Sequence, residues 1–107
     1  MKANEYQFLA GRTINAELTK KEIELHALSG MVGEIGEIHS VYQKHLQGHE
    51  FDEKEIIKEV GDLLWFIAEY CTIMGWTLEE VMDLNIKKLK KRYPHGFNAD
   101  RSVNRNE

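Results

Sequence analysis

Apolar residues recur every three or four positions along most of the chain, which is the spacing of an amphipathic α-helix. The pattern is clearest over residues 20–47 and 52–74, continues over 78–93, and is weakest over 3–15. No segment shows the strict alternation of a β-strand or the Asn-Gly pair of a tight hairpin. We therefore predict four helices and an all-α fold of the four-helix-bundle type.

Capping signals mark the ends of these predicted helices. Thr19 and Thr77 are each followed three residues later by a glutamate, which is the capping-box pattern of a helix N-terminus. Gly75 is placed to end the third helix. Pro94 ends the fourth helix, because the residue before a proline avoids the helical conformation.

Length and charge limit the number of domains and the kinds of partner. The 107 residues support one domain, which we assign to 1–97, followed by an extended C-terminal tail at 98–107. A bundle this short leaves an apolar face for another copy, so we expect a homo-oligomer, either a dimer or a tetramer. The net charge of −4 argues against nucleic acid as a partner, because phosphate backbones bind concentrated positive charge.

Signals for membranes and secretion are missing from the sequence. No apolar run approaches the ~20 residues of a membrane span, and the N-terminus lacks an apolar signal segment. The single cysteine, Cys71, falls in an apolar helical stretch, where a buried core residue is expected more often than a reactive thiol. We therefore expect a cytoplasmic protein with no membrane partner.

Two pairs of carboxylates stand out on the second and third predicted helices. Glu34 and Glu37 lie in the segment EIGE, and Glu59 and Asp62 lie in EVGD. The spacing of three residues places both members of a pair on one helix face. Each pair has the same angular offset from the apolar stripe of its helix and a similar distance from the intervening turn. If the two helices pack antiparallel, the four carboxylates converge on one patch.

A patch of carboxylates at such close range predicts a bound cation, because the like charges otherwise repel one another. Oxygen ligands alone favour a hard divalent ion, so we predict Mg²⁺, with Mn²⁺ as a substitute, rather than zinc. A ferritin-like di-iron site would require Glu-x-x-His pairs, which the sequence lacks. His39 and His45 are interpreted as surface residues.

The same acidic segments contain glycines, each of which weakens a helix by roughly 1 kcal/mol relative to alanine. Gly33 and Gly36 flank Glu34, and Gly61 precedes Asp62. Two explanations stay open. The missing side chains either allow a close approach of a helix or ligand, or the glycines are simply tolerated.

The fourth predicted helix carries polar groups where its apolar stripe is expected. Asn85 falls within the stripe, Arg92 lies one heptad later at nearly the same angle, and Lys88 flanks both. Their amide, ammonium and guanidinium groups suit one anionic ligand, and arginine offers a bidentate fork for phosphate oxygens. The alternative is a hydrogen-bonded core asparagine beside solvated lysines. Together with an acidic metal site, the cluster indicates phosphoryl or nucleotidyl chemistry.

The order of these motifs resembles that of the MazG-like all-α nucleoside triphosphate pyrophosphohydrolases. The shared pattern is ExxE, then ExxD, then N-x-x-K-L-x-x-R-Y-P, and the likeness covers residues 23–97. It implies an all-α pyrophosphatase fold and Mg²⁺-dependent hydrolysis of a nucleoside triphosphate between the α and β phosphates, giving monophosphate and pyrophosphate. Two alternatives are a non-catalytic helical module that binds a nucleotide or a partner, and a phosphoribosyl-ATP pyrophosphohydrolase of the same superfamily.

The resemblance also implies roles for individual residues. The acids that match metal ligands are Glu34, Glu37, Glu59 and Asp62. One of them, Glu37 or Glu34, would orient or deprotonate the attacking water. The residues that match the segment contacting phosphate and substrate are Asn85, Lys88, Arg92 and Tyr93.

Two aromatic residues and two arginines have less definite roles. Trp65 and Phe66 follow Asp62 by about one turn and form either an aromatic wall for the base or part of the ordinary core. Arg101 and Arg105 in the tail either reach the site of a neighbouring subunit or are disordered.

Overall fold

Five α-helices make up the fold in a computed structural model that describes residues 1–104. They are α1 (Ala3–Gly11), α2 (Lys20–Leu46), α3 (Glu53–Met74), α4 (Leu78–Arg92) and α5 (Ala99–Val103). These described residues form no β-strand, which confirms the predicted all-α class. None of the helices in this part of the chain has the length and apolar content that crossing a membrane requires.

The predicted capping signals form as expected. The Thr19 side chain accepts a hydrogen bond from the backbone N–H of Glu22, and the Glu22 side chain accepts one from that of Thr19. Thr77 and Glu80 make the same reciprocal pair at the start of α4. Gly75 ends α3 with φ of 80°, a left-handed conformation that glycine adopts without steric cost.

Two predicted segments differ from the structure. The first helix ends at Gly11 rather than near residue 15, because the Thr13 hydroxyl and backbone N–H both bond the Ala10 carbonyl and close a turn. The extended conformation predicted for the tail was wrong over α5, where the Asn98 side chain accepts from the Arg101 backbone N–H and caps a helical turn. Arg105 lies outside the described residues.

The hairpin of α2 and α3 is the most extensive packing in the molecule. Its antiparallel direction is seen in the contacts between the helices: Gly30 lies opposite Phe66, and the earlier residue His26 lies opposite the later residue Glu69. This is the packing that the convergence of the acidic pairs requires. The hairpin is therefore the scaffold of the candidate site.

One buried glutamine on helix α1 forms hydrogen bonds with the end of α3, the α3–α4 turn and the start of α4. The Gln7 amide nitrogen donates to the Thr72 hydroxyl at 3.1 Å and to the Trp76 carbonyl at 2.8 Å. Its oxygen accepts from the backbone N–H of Leu78 at 2.7 Å. Of the three bonded groups the Leu78 N–H is buried, and Gln7 supplies the acceptor that this donor would otherwise lack.

The core of the single chain is small, and the molecule is open. Its buried apolar cluster comprises Ala10, Ala68, Cys71 and Leu78, which confirms the buried position predicted for Cys71. The radius of gyration is 17.2 Å, whereas a compact chain of this length has about 13 Å. Several apolar residues of α2 remain exposed, including Ile35 at 56 %. One apolar face is therefore used within the chain and another is left uncovered.

Candidate metal centre

Three of the four predicted acids meet where α2 and α3 face each other. One carboxylate oxygen from each of Glu34, Glu59 and Asp62 lies within 4.8 Å of the other two. Glu34 and Glu59 are half-buried, and Asp62 is exposed. The fourth acid, Glu37, lies outside this group, although its charge acts on Glu59. The structure thus brings together three predicted ligands and places the fourth at the edge of the cluster.

One carboxylate oxygen in the cluster lacks a hydrogen-bond partner. Oε2 of Glu34 is shielded from solvent and accepts no hydrogen bond from the residues that the structure describes. A buried polar atom without a partner is costly, so such an atom at a candidate site calls for a ligand. A hard cation held by carboxylate oxygens would satisfy Glu34, and the oxygen-only donor set fits Mg²⁺ or Mn²⁺.

The electrostatics of Glu59 reflect the crowding of these carboxylates. A hydrogen bond shared with Glu34 raises the pKa of Glu59, and partial burial and the charges of Glu34 and Glu37 act in the same direction. A hydrogen bond with Glu55 partly lowers that pKa. Without a cation, binding of a proton to Glu59 therefore partly relieves the repulsion among these carboxylates.

Two residues that sequence reasoning missed also belong to this neighbourhood. Glu55 precedes Glu59 by one turn. The pKa of Glu55 is raised, chiefly by the hydrogen bond between the two side chains. Burial raises the pKa of Tyr6 on α1, and the charge of Asp62 adds to this effect. The spacing of Glu55 and Glu59 was a usable sequence signal. The placement of Tyr6 depends on how α1 docks, which no local pattern reveals.

The predicted phosphate-contacting residues lie on a different part of the fold. Helix α4 packs chiefly on α1 rather than on the acidic hairpin. Asn85 and Lys88 are exposed, whereas Arg92 and Tyr93 are half-buried at the end of α4. The Arg92 guanidinium lies 5.7 Å from the centre of the Tyr93 ring. Among the described residues Asn85 is exposed, so in the single chain it does not occupy the core position that the apolar stripe of α4 suggested.

The two predicted aromatic residues surround a histidine that sequence reasoning missed. The ring centroid of His26 lies 6.3 Å from that of Trp65 and 5.5 Å from that of Phe66. Phe66 is half-buried and its ring packs on Gly30, so it forms part of the hairpin contact while still bordering His26. Trp65 is held by a hydrogen bond from its indole nitrogen to the Thr13 hydroxyl at 2.8 Å.

The glycines of the acidic segments divide into two groups. A Cβ added at Gly30 would collide with the Phe66 ring, so this glycine permits the close approach of a side chain from α3. A Cβ at Gly33, Gly36 or Gly61 would meet nothing within 4 Å. Close approach within the chain therefore does not explain these three glycines, and room for a ligand or simple tolerance remains.

Comparisons with known proteins add an independent line of evidence. The family model described as the MazG nucleotide pyrophosphohydrolase domain matches residues 23–97, a range that contains all four predicted metal ligands and the α4 cluster. The "Gene 37 protein" of Mycobacterium phage L5 is 29 % identical over 72 residues, which cover 63 % of this chain and 63 % of that relative. No solved structure matches the chain.

Proposed function

The chain belongs to the family of the MazG nucleotide pyrophosphohydrolase domain, and from this premise we propose that it hydrolyses a nucleoside triphosphate between the α and β phosphates. The products would be a nucleoside monophosphate and pyrophosphate, and the reaction would require Mg²⁺ or Mn²⁺. The observation that carries the proposal is the meeting of Glu34, Glu59 and Asp62, with a buried Glu34 oxygen that lacks a protein partner. Such a site is suited to holding a cation against phosphate oxygens.

In this proposal each acid of the cluster has its own role. Glu34, Glu59 and Asp62 would hold the metal, and Glu37 would contribute at the edge of the cluster. When bound, the metal neutralises phosphate charge and lowers the pKa of a coordinated water. Glu37 or Glu34 would orient or deprotonate the attacking water, the role that the family resemblance implies for one of these acids. Glu55 would assist by sharing a proton with Glu59.

Phosphate binding is assigned to Asn85, Lys88, Arg92 and Tyr93, and it motivates a proposal about assembly. Since α4 packs chiefly on α1 in the single chain, we propose a homo-oligomer in which a second copy brings these groups closer to the acids. The open shape and the uncovered apolar residues support this arrangement. Analytical ultracentrifugation tests it, and a monomer at micromolar concentration would contradict it.

The decisive experiment is a panel of ribonucleoside and deoxyribonucleoside triphosphates, incubated with Mg²⁺ or Mn²⁺ and assayed for both products. In water enriched in ¹⁸O, attack at the α phosphorus places the label in the monophosphate, whereas attack at the β phosphorus places it in pyrophosphate. Glu59→Gln should reduce kcat by about 100-fold or more, while Glu53→Gln at the exposed start of α3 should retain the activity. A wild-type protein that is inert on every nucleotide would overturn the proposal.

Two other functions are tested alongside. Phosphoribosyl-ATP belongs in the panel, and a strong preference for it would assign the chain to the biosynthetic branch of the same superfamily. Calorimetry separates an enzyme from a binding module, because nucleotide binding with no product formation identifies the latter.

A further inference from the structure

A second polar pair lies inside the α2–α3 hairpin, away from the acidic cluster. Nδ1 of His26 is 2.9 Å from Oε1 and 3.0 Å from Oε2 of Glu69. Glu69 is only 1 % exposed, whereas the His26 side chain is 48 % exposed. The carboxylate is thus hidden in the hairpin, while the imidazole that it holds reaches the surface.

This pairing sets the hydrogen-bonding character of the exposed side of the ring. The geometry fits the tautomer with the proton on Nδ1, because that nitrogen faces both oxygens of the Glu69 carboxylate. In this neutral tautomer the lone pair is on Nε2, which can accept a hydrogen bond from a ligand. Burying a carboxylate between two helices costs desolvation free energy, and apolar residues of similar volume often stabilise such a contact as well or better. Orientation of an imidazole is what the carboxylate supplies that an apolar side chain would not.

The pair lies on the same two helices as the acidic cluster. Glu69 follows Asp62 by seven residues, close to two helical turns, and His26 precedes Glu34 by eight, a little over two turns. At 1.5 Å per residue, Glu69 lies about 10 Å beyond Asp62 along α3. This separation is too long for a proton transfer to a phosphate held at the acids. It suits the far end of a nucleotide, whose sugar and base extend away from the phosphates.

Aromatic rings fill the interval between the acids and the pair. Trp65 and Phe66 lie about one turn beyond Asp62, and their centroids are 5.2 Å apart with the rings nearly perpendicular. Both border the His26 ring, and the bond from Trp65 to Thr13 fixes the indole. An oriented hydrogen-bond acceptor beside aromatic surfaces is the combination by which proteins recognise unstacked nucleobases.

We infer that His26, held by Glu69 and bordered by Trp65 and Phe66, is the subsite for the base of the nucleotide. Nε2 of His26 accepts a hydrogen bond from the exocyclic amino group of the base, which favours cytosine over uracil and adenine over hypoxanthine. The inference rests on the proposed function, because it takes the ligand to be a nucleotide whose phosphates lie at the acids. It adds the chemical group by which the enzyme distinguishes one base from another.

The test measures binding to a protein in which Trp65 is the only tryptophan, obtained with Trp76→Phe. Quenching of its fluorescence is followed during titration with two matched pairs of monophosphates, cytidine against uridine and adenosine against inosine, in the presence of Mg²⁺. We expect the amino member of at least one pair to bind about three- to tenfold more tightly, the range of one hydrogen bond. No discrimination in either pair would overturn the inference.

The critical variant removes both members of the polar pair. His26→Ala alone leaves the Glu69 charge buried without its partner, which endangers folding, so His26→Leu/Glu69→Leu is made beside it and checked by circular dichroism. The double variant should bind the amino and oxo nucleotides equally. Retention of the wild-type ratio, including weaker binding of all nucleotides by the same factor, would show a purely structural role and overturn the inference.

Failure of this inference is distinguishable from failure of the proposed function. If the base preference is present and depends on His26 but no pyrophosphate is released, the hydrolytic function fails and the base subsite stands. If pyrophosphate is released normally and the double variant keeps the wild-type base preference, the subsite fails and the hydrolytic function stands. In an active enzyme the double variant should raise KM for the preferred nucleotide more than it lowers kcat.

Discussion

The ring of Phe66 on α3 lies against the backbone of Gly30 on α2, in the space that a side chain at position 30 would occupy. Because His26 and Trp65 border the same ring, it has little room to move aside. We expect Gly30→Ala to lower the free energy of unfolding by about 1–3 kcal/mol, the usual cost of overpacking. Urea denaturation measures the change.

Gly33 provides a matched control for this prediction on the same helix. A Cβ at Gly33 meets nothing, so Gly33→Ala should raise the free energy of unfolding by about 0.5–1 kcal/mol through helix propensity. The double variant Gly30→Ala/Phe66→Leu should recover part of the loss. Equal effects of alanine at positions 30 and 33 would contradict the packing argument. Loss of activity in Gly33→Ala despite its higher stability would favour room for a ligand over simple tolerance.

Metal binding should stabilise the protein through the acidic cluster. At a Mg²⁺ or Mn²⁺ concentration of about 100 times Kd, the free energy of unfolding should rise by about 2.7 kcal/mol. Glu59→Gln removes one of the three grouped ligands and should abolish this increase and reduce kcat by about 100-fold or more. Thermal melts with and without a chelator measure the first effect. A variant that is stabilised by metal as strongly as the wild type would place the ion elsewhere.

The raised pKa of Glu59 predicts an unusual pH dependence of the metal-free protein. A carboxyl whose pKa is higher in the folded state than in the unfolded chain binds its proton more tightly when folded. Its contribution to stability is therefore lost as pH rises above the ordinary glutamate pKa of 4.5 and through the raised value. The difference in unfolding free energy between wild type and Glu59→Gln, measured in chelator, should change in the variant's favour over this interval. A difference independent of pH would contradict the shift.

Metal affinity should change with pH in the opposite sense. The proton shared by Glu59 and Glu34 competes with the cation, so affinity rises as pH increases through the same interval. Calorimetric titration at several pH values, in buffers of different ionisation enthalpy, counts the protons released. Binding without proton release at the low end of the interval would indicate that the metal does not displace a proton from Glu59.

Docking of α1 should depend strongly on Gln7. Gln7→Ala removes three hydrogen bonds and leaves the Leu78 backbone N–H without its acceptor, so we expect a loss of about 2–4 kcal/mol in the free energy of unfolding. Glu5→Gln, at an exposed polar position on the same helix, serves as the control and should change stability by no more than about 0.5 kcal/mol. Similar effects of the two substitutions would contradict the assigned role of Gln7.

Phosphate binding by α4 should be sensitive to individual positive charges. Lys88→Gln should raise KM for the nucleotide by about three- to tenfold, as expected for one charged contact, with little change in kcat. The neighbouring exposed residue Lys87 provides the matched control, and Lys87→Gln should leave KM nearly unchanged. Identical kinetics for the two variants would remove Lys88 from the proposed site.

The features that could be predicted from the sequence are those with local causes. Capping boxes at Thr19 and Thr77 and the stop at Gly75 involve residues only a few positions apart, so the sequence shows them directly. The convergence of Glu34 with Glu59 needed one further assumption, that the two helices pack antiparallel. Helical periodicity then placed the acids on facing surfaces at similar heights.

The features that escaped prediction depend on long-range register. His26 and Glu69 are 43 residues apart, and the sequence around each of them does not indicate that the two side chains form a pair. The packing of α4 on α1 escaped for a related reason. Periodicity shows that α4 has an apolar face but not which helix covers it, so Asn85 could not be placed.

The side-chain amide of Gln7 accepts a hydrogen bond from Leu78, a residue 71 positions later in the chain. As the protein emerges from the ribosome, α1 is made first and must wait for the α3–α4 turn before its polar contacts can form. Throughout that time its apolar surface, including Tyr6 and Ala10, has no intramolecular partner in its final place. Closure of α1 onto the α3–α4 turn therefore requires that the chain be synthesised at least as far as Leu78.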